Sequence, residues 1–224
     1  MQRDNITLAR RPQESALATN KVLRNTYLLL GLTFLFSAFT ALIAMTTHAQ
    51  PMHPLLMIVG VYGLMFLTSS LKNSVWGIVS VFAFTGFLGY TLGPILNFYI
   101  ANFSNGHELI MTSLGATGVI FLTLSSYVLV SRKDFSFLGG FLAILGMVAV
   151  LAMIAGFFFQ IPILNLAISC LFVLFSSGVI LYQTSLIING GETNYIMATI
   201  TLFVALYNLF ISLLQIFGAF SNKE

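Results

Sequence analysis

Charge is what this chain has least of. Of its 224 residues only 7% are Asp, Glu, Lys or Arg, nine basic against six acidic, while 58% are apolar or aromatic. A soluble domain carries about 25% charged residues because it must present a wetted surface, so an ordinary soluble fold is excluded. The formal charge of +3 rests on too few Lys and Arg to build the basic face that a nucleic-acid partner requires. Cysteine is nearly absent as well. Cys170 alone leaves no internal disulfide and no cysteine-based metal site, and its apolar setting reads as that of a small core residue. With about 20 apolar residues needed for each spanning helix, the chain is a polytopic protein of the lipid bilayer.

Apolar runs at 27–47, 55–71, 76–99, 109–130, 135–159, 162–188 and 195–217 predict seven spans. They form one all-α transmembrane unit, 27–220, after a polar basic tail, 1–26, and before a short end, 221–224. A cleavable signal peptide has an apolar core of only about 7–15 residues, so the longer first run reads as a retained helix. Pro162 suits the first turn of the sixth helix, where its missing N–H is harmless. Lys and Arg are retained on the cytoplasmic side. Arg3, Arg10, Arg11, Lys21 and Arg24 in the tail, Lys72 after span two, and Arg132 and Lys133 after span four share one side, with only Lys223 opposite. This places the amino end in the cytoplasm and the carboxyl end outside. The Gly-Gly loop at 189–193 has no positive residue, which leaves open a re-entrant last segment.

The apolar cores also lack any formal charge. Proton-coupled pumps and voltage sensors need titrating or charged groups within the membrane, and none is available. His48, His53 and His107 all fall in loops, so Ser125, Ser126, Ser176 and Ser177 have no histidine base and read as small packing residues. No zinc-protease His-Glu-x-x-His occurs. The chain reads as a non-enzyme without a cofactor; the loop histidines are either solvated or, alternatively, a metal site facing out. The polar groups left in the spans are amides and hydroxyls, among them the carboxamides Gln183, Asn208 and Gln215. An amide in hydrocarbon needs an internal partner, so these three predict a polar network holding helices together, with a permeation site as the alternative. In the third span Gly86, Gly89 and Gly93 include a GxxxG, which admits a close neighbouring helix, and Pro94 either bends the helix or simply packs.

Residues 21–27 (KVLRNTY), 83–89 (AFTGFLG), 92–97 (LGPILN), 132–140 (RKDFSFLGG) and 190–196 (GGETNYI) are spread over nearly the whole chain. In this order and spacing they resemble the Bax inhibitor-1 family, in its bacterial branch. The resemblance implies a seven-helix bundle whose last helix is central, with the other six around it. It also implies a non-enzymatic inner-membrane regulator of the membrane-anchored ATP-dependent protease FtsH. The amino tail is then either a handle for that protease or only a topology anchor. Many family members pair an aspartate in a Tyr-Asp-Thr motif of helix six with a second in helix seven, a pair linked to pH-dependent calcium leak. Here the motif is Tyr182-Gln183-Thr184, and the second position corresponds to Asn208. The competing class is therefore a calcium or proton leak channel lacking the acidic-pair pH sensor.

Two close carboxylates can share a proton and change charge with pH, whereas two amides cannot. Calcium flux from vesicles holding this protein should show no steep acid-range titration. A steep one that survives replacement of Gln183 and Asn208 would put the sensor elsewhere.

Overall fold

The computed structural model describes the backbone of residues 4–159 and 161–221, and the side chains of 19–156, 158–159 and 161–221. Of the expected basic tail, Arg3 and the side chains of Arg10 and Arg11 lie outside the described residues, as does Lys223. Seven helices follow one another: α1 (Asp4–Thr46), α2 (Pro54–Leu71), α3 (Trp76–Asn102), α4 (Gly106–Ser131), α5 (Leu138–Phe159), α6 (Pro162–Ile188) and α7 (Tyr195–Phe220). All seven are long and apolar enough to cross a membrane, α1 through its stretch Thr19–Thr46. Ahead of that stretch the polar segment, which has no core-forming pattern, continues the helix back to Asp4. Extending a helix that already exists costs far less than nucleating one.

Local chemistry sets the helix ends. His53 Nδ1 accepts the Leu55 N–H at 3.3 Å, and Pro54 occupies the first turn of α2. The Asn194 side-chain oxygen accepts the N–H groups of Ile196 and Met197 at 3.0 and 3.1 Å, an N-cap for α7. α6 closes with Gly190 at φ +76°, the left-handed conformation glycine adopts without a Cβ penalty, while the Gly191 N–H returns to the Leu186 carbonyl at 2.8 Å. α5 starts at Leu138, later than its apolar run. Asp134 Oδ1 takes the Ser136 N–H at 2.8 Å and Ser185 Oγ takes the Phe135 N–H at 2.8 Å, which holds this segment in a turn.

α7 forms the centre. Of its apolar window 61% is buried, against 6% for α2 and 11% for α5. α1, α3, α4 and α6 pack directly on α7, whereas α2 leans on α3 and α5 on α6. The expectation that six helices surround the last one is thus corrected to four, with two outriders. Those two expose large apolar side chains such as Leu56, Phe66, Ile144 and Leu151, which is costless against lipid tails that are equally apolar. α7 runs the full depth of the bundle. At one end Asn194 Nδ2 donates to Lys72 O and Asn73 Oδ1, each at 3.0 Å; at the other Ser221 Oγ donates to Asn105 Oδ1 at 2.8 Å. α7 is one unbroken helix over Tyr195–Phe220. The two ends of the bundle are thus the Arg132 end, which holds the Asn194 contacts, and the Ser221 end.

The most extensive helix contact is α1 against α3. A Cβ at Gly89 would overlap the Ser37 carbonyl and the Thr40 hydroxyl, and one at Gly93 would lie 2.5 Å from Ala44 Cβ and 2.9 Å from Ala41 O. Gly86 lies against the Phe36 ring in the same way. Asn97 Nδ2 then donates to the Met45 carbonyl at 3.0 Å, extending the seam. α3 continues as helix through Pro94.

Gly89→Ala should lower bundle stability by about 1–3 kcal/mol, because a packed backbone has no room to yield. Gly115→Ala, with nothing within 4 Å of the new methyl, should be neutral or slightly stabilising. Unfolding midpoints in detergent will compare the two, and equal losses would contradict the α1–α3 packing.

Candidate functional site

Polar groups that the hydrocarbon cannot solvate collect mainly at the ends of the bundle. At the Arg132 end three loops are laced together. Asn194 ties the α6–α7 loop to Lys72 and Asn73 in the α2–α3 loop, and its own N–H donates to Glu192 Oε1 at 2.8 Å. Ser185, fully buried near the end of α6, holds the α4–α5 loop. Its Oγ accepts from Phe135 N at 2.8 Å and from Asn189 Nδ2 at 3.2 Å, and donates to the Lys133 carbonyl at 3.4 Å. Arg132 adopts the left-handed conformation, φ 50°, with its N–H on the Val128 carbonyl at 2.9 Å.

Three of the five sequence segments singled out above, 21–27, 132–140 and 190–196, meet at this end. Beside them a cavity of about 400 Å³ is walled by Thr19, Asn20 and Leu23 of α1, Leu129 and Arg132, and Ile188 to Gly190. Lys21, Arg24, Lys72, Arg132 and Lys133 are all exposed, which makes this face basic. Lys133 Nζ donates to the Tyr127 hydroxyl at 3.2 Å and lies 5.8 Å above that ring. The Asp134 carboxyl is held below the usual carboxylate range, first by the Ser136 backbone N–H and then by the Ser136 hydroxyl. Because the shift is downward, what the carboxylate contributes to this turn is present at neutral pH and is lost as pH falls through the lowered value.

The three carboxamides do not form one network. Gln183 is buried at 4% exposure, and its Nε2 has no hydrogen-bond partner among the described residues. Thr26 Oγ1, Tyr27 OH and Ser176 Oγ share that condition. Asn208 is half-buried and makes no hydrogen bond with Gln183. Gln215 is exposed, and its Oε1 accepts from Ser169 Oγ of α6 at 2.6 Å. Antiparallel packing is the reason. Gln183 stands five residues from the end of α6 and Gln215 five from the end of α7, so they occupy opposite ends of the bundle. Cys170 is exposed rather than in the core. Among the described residues no three His, Cys, Asp or Glu side chains gather as a metal site, and His53 serves as a helix cap. Sequence reasoning passed over Ser185 and Asn194. An asparagine directly before an apolar run is a recognisable cap signal; nothing local marks Ser185 as the anchor of the α4–α5 loop, whose Lys133 and Phe135 lie about 50 residues away.

Seven apolar helices, the carboxyl-terminal one buried at the centre, define a multi-pass helical membrane protein. The family model described as "Inhibitor of apoptosis-promoting Bax1" matches residues 19–222, and the chain belongs to that family, the Bax inhibitor-1 family. Among its relatives, "Modulator of FtsH protease YccA" of Escherichia coli (strain K12) is 52% identical over 221 residues, covering 99% of this chain and 100% of the relative. "Inner membrane protein YccA" of Escherichia coli O6:H1 matches to the same extent. An "Uncharacterized membrane protein" of Vibrio cholerae is 43% identical over 212 residues, 94% of this chain and 95% of that one. The names of the family and of the Escherichia coli relatives denote an inhibitor, a modulator or a membrane protein rather than an enzyme.

Two substitutions separate the bonded from the unbonded polar groups. Ser185→Ala removes the acceptor of two donors and should cost about 1–3 kcal/mol in detergent unfolding. Gln183→Leu removes an unpaired amide and should be neutral or stabilising by a similar amount. A loss for Gln183→Leu as large as that for Ser185→Ala would mean that the amide is bonded.

Proposed function

We propose that this chain is a non-enzymatic regulator in the bacterial inner membrane that binds and modulates the membrane-anchored ATP-dependent protease FtsH. The observation that carries the proposal is the end-to-end match, at 52% identity, with a protein named for modulating that protease. The match covers 99% of this chain and so runs through all seven helices. The name of the second Escherichia coli relative supports the inner membrane as the location.

The partner-facing side is the Arg132 end. Its exposed basic residues support a cytoplasmic location under the positive-inside rule, and in this proposal the Ser221 end and the carboxyl terminus face the periplasm. There the helix preceding Thr19 extends α1 by 15 residues, about 22 Å, toward a cytoplasmic protease. The protease engages this extension, and the bundle behind it resists extraction because α7 is packed on four sides. Gln183, Asn208 and Gln215 are structural groups in this scheme rather than a permeation site. The fully buried Phe84, Phe203, Leu209 and Leu214 favour a filled centre over an ion leak.

Deleting residues 2–18 should reduce protease recovered with the full-length membrane protein by at least about tenfold, equivalent to losing roughly 1.4 kcal/mol of binding, and should relieve inhibition of a model membrane substrate. Replacing Arg3, Arg10 and Arg11 with Gln at constant length should leave binding intact if length matters, and should disturb topology if the tail is only an anchor. Undiminished binding and inhibition after the deletion would remove the tail from the mechanism.

A further inference from the structure

A cleft of about 540 Å³ opens at the Ser221 end between α3, α5, α6 and α7. It exists because α5 leans on α6 and leaves the space beside α7 unfilled. Phe98, Met153 and Leu166 supply apolar wall, and Asn165, Ser169 and Gln215 supply polar wall. Among the described residues no Asp, Glu, Lys, Arg or His lines it.

Hydrocarbon does not solvate a carboxamide, yet two carboxamides open into this one cleft. Gln215 is exposed there, and with its Oε1 taken by the Ser169 hydroxyl its Nε2 is left as a free donor. Asn165, also exposed, has no side-chain hydrogen bond among the described residues. Gly156 keeps the approach to Asn165 open, since a Cβ there would come within 3.0 Å of Asn165 Oδ1. The cleft thus presents uncharged N–H donors beside an apolar trough and asks for an uncharged acceptor attached to hydrocarbon.

Depth narrows the choice further. Helices of 26 or 27 residues are about 40 Å long, close to the full bilayer thickness, of which the hydrocarbon core is about 30 Å. Asn165 lies three residues after Pro162 and Gln215 five before Phe220, about 5 and 8 Å from the helix ends. That is the edge of the hydrocarbon core, where the glycerol esters of a lipid reside. A transmembrane helix from a partner would offer carbonyls already bonded within itself, and a phosphate would find no cation among the described residues of the wall.

We propose that the cleft seats one glycerolipid of the leaflet at the Ser221 end. Its ester carbonyls accept from Gln215 Nε2 and Asn165 Nδ2, and one acyl chain lies in the gap between α5 and α7, over Met153 and Leu166.

Native mass spectrometry of the full-length protein tests this with 1-palmitoyl-2-oleoyl-phosphatidylglycerol and a dialkyl ether analogue bearing the same headgroup. The ester lipid should be retained about eightfold better than the ether, the difference expected for two hydrogen bonds of the size measured in membrane bundles. The double variant Asn165→Leu with Gln215→Leu should lower ester retention to the ether level. Ala219→Trp, placed at an exposed position of the cleft wall, should displace both lipids while leaving the donors in place. Helicity and unfolding midpoint check that each variant is folded. Equal retention of ester and ether by the native protein would overturn the proposal, as would full retention by the folded double variant or capture of a polypeptide instead of lipid through Gln215.

Discussion

Hydrocarbon offers no hydrogen bonds, and this one constraint shapes the bundle. Many buried hydroxyls meet it locally by donating back to the carbonyl three or four residues earlier, Thr26 and Ser176 being exceptions. Thr33 bonds to Leu30, Thr85 to Val81, Ser113 to Leu109 and Thr199 to Tyr195, at 2.7 to 2.9 Å. With those donors satisfied inside their own helices, contact between helices depends on shape. Gly89 and Gly93 let α1 and α3 approach until only backbone and small side chains separate them. Along the centre Phe34 packs tilted on Phe203, and Phe203 stacks on Tyr207, at centroid distances of 5.0 and 6.5 Å.

Cohesion that does need hydrogen bonds between helices is sparse and lies mostly toward the ends. Asn194 and Ser185 lace the loops at the Arg132 end, while Asn97 and Ser221 do the same toward the other. An interaction face can therefore be rigid at the Arg132 end without any charge entering the core. The basic groups there are free to meet a partner because little of the fold depends on them: Arg132 and Lys133 are exposed, and the loop is held through its backbone by Ser185.

Much of this was legible in the residues themselves. Long apolar runs separated by Pro51, Pro54, Lys72 and Gly190 announced seven helices, because a spanning helix must be continuous and its ends must reach polar surroundings. The Gly89–Gly93 spacing announced a close helix neighbour but not its identity. Gln215 announced a need for a partner, which proved to be Ser169 rather than Asn208 or Gln183. The sequence was silent on Ser185, since one serine among many carries no local mark of partners 50 residues distant.

What the sequence determined by itself was the solvent, the number of helices and the absence of interior charge, since these follow from composition and from runs of neighbouring residues. The tertiary structure alone decided which helices flank α7, where the three amides come to lie, and that α5 stands away from α7 to leave a polar-walled cleft. Those outcomes depend on the rotation and depth of each helix against the others. Rotation and depth are set by the joint fit of side chains from segments far apart in the chain, and periodicity within a single helix does not encode them.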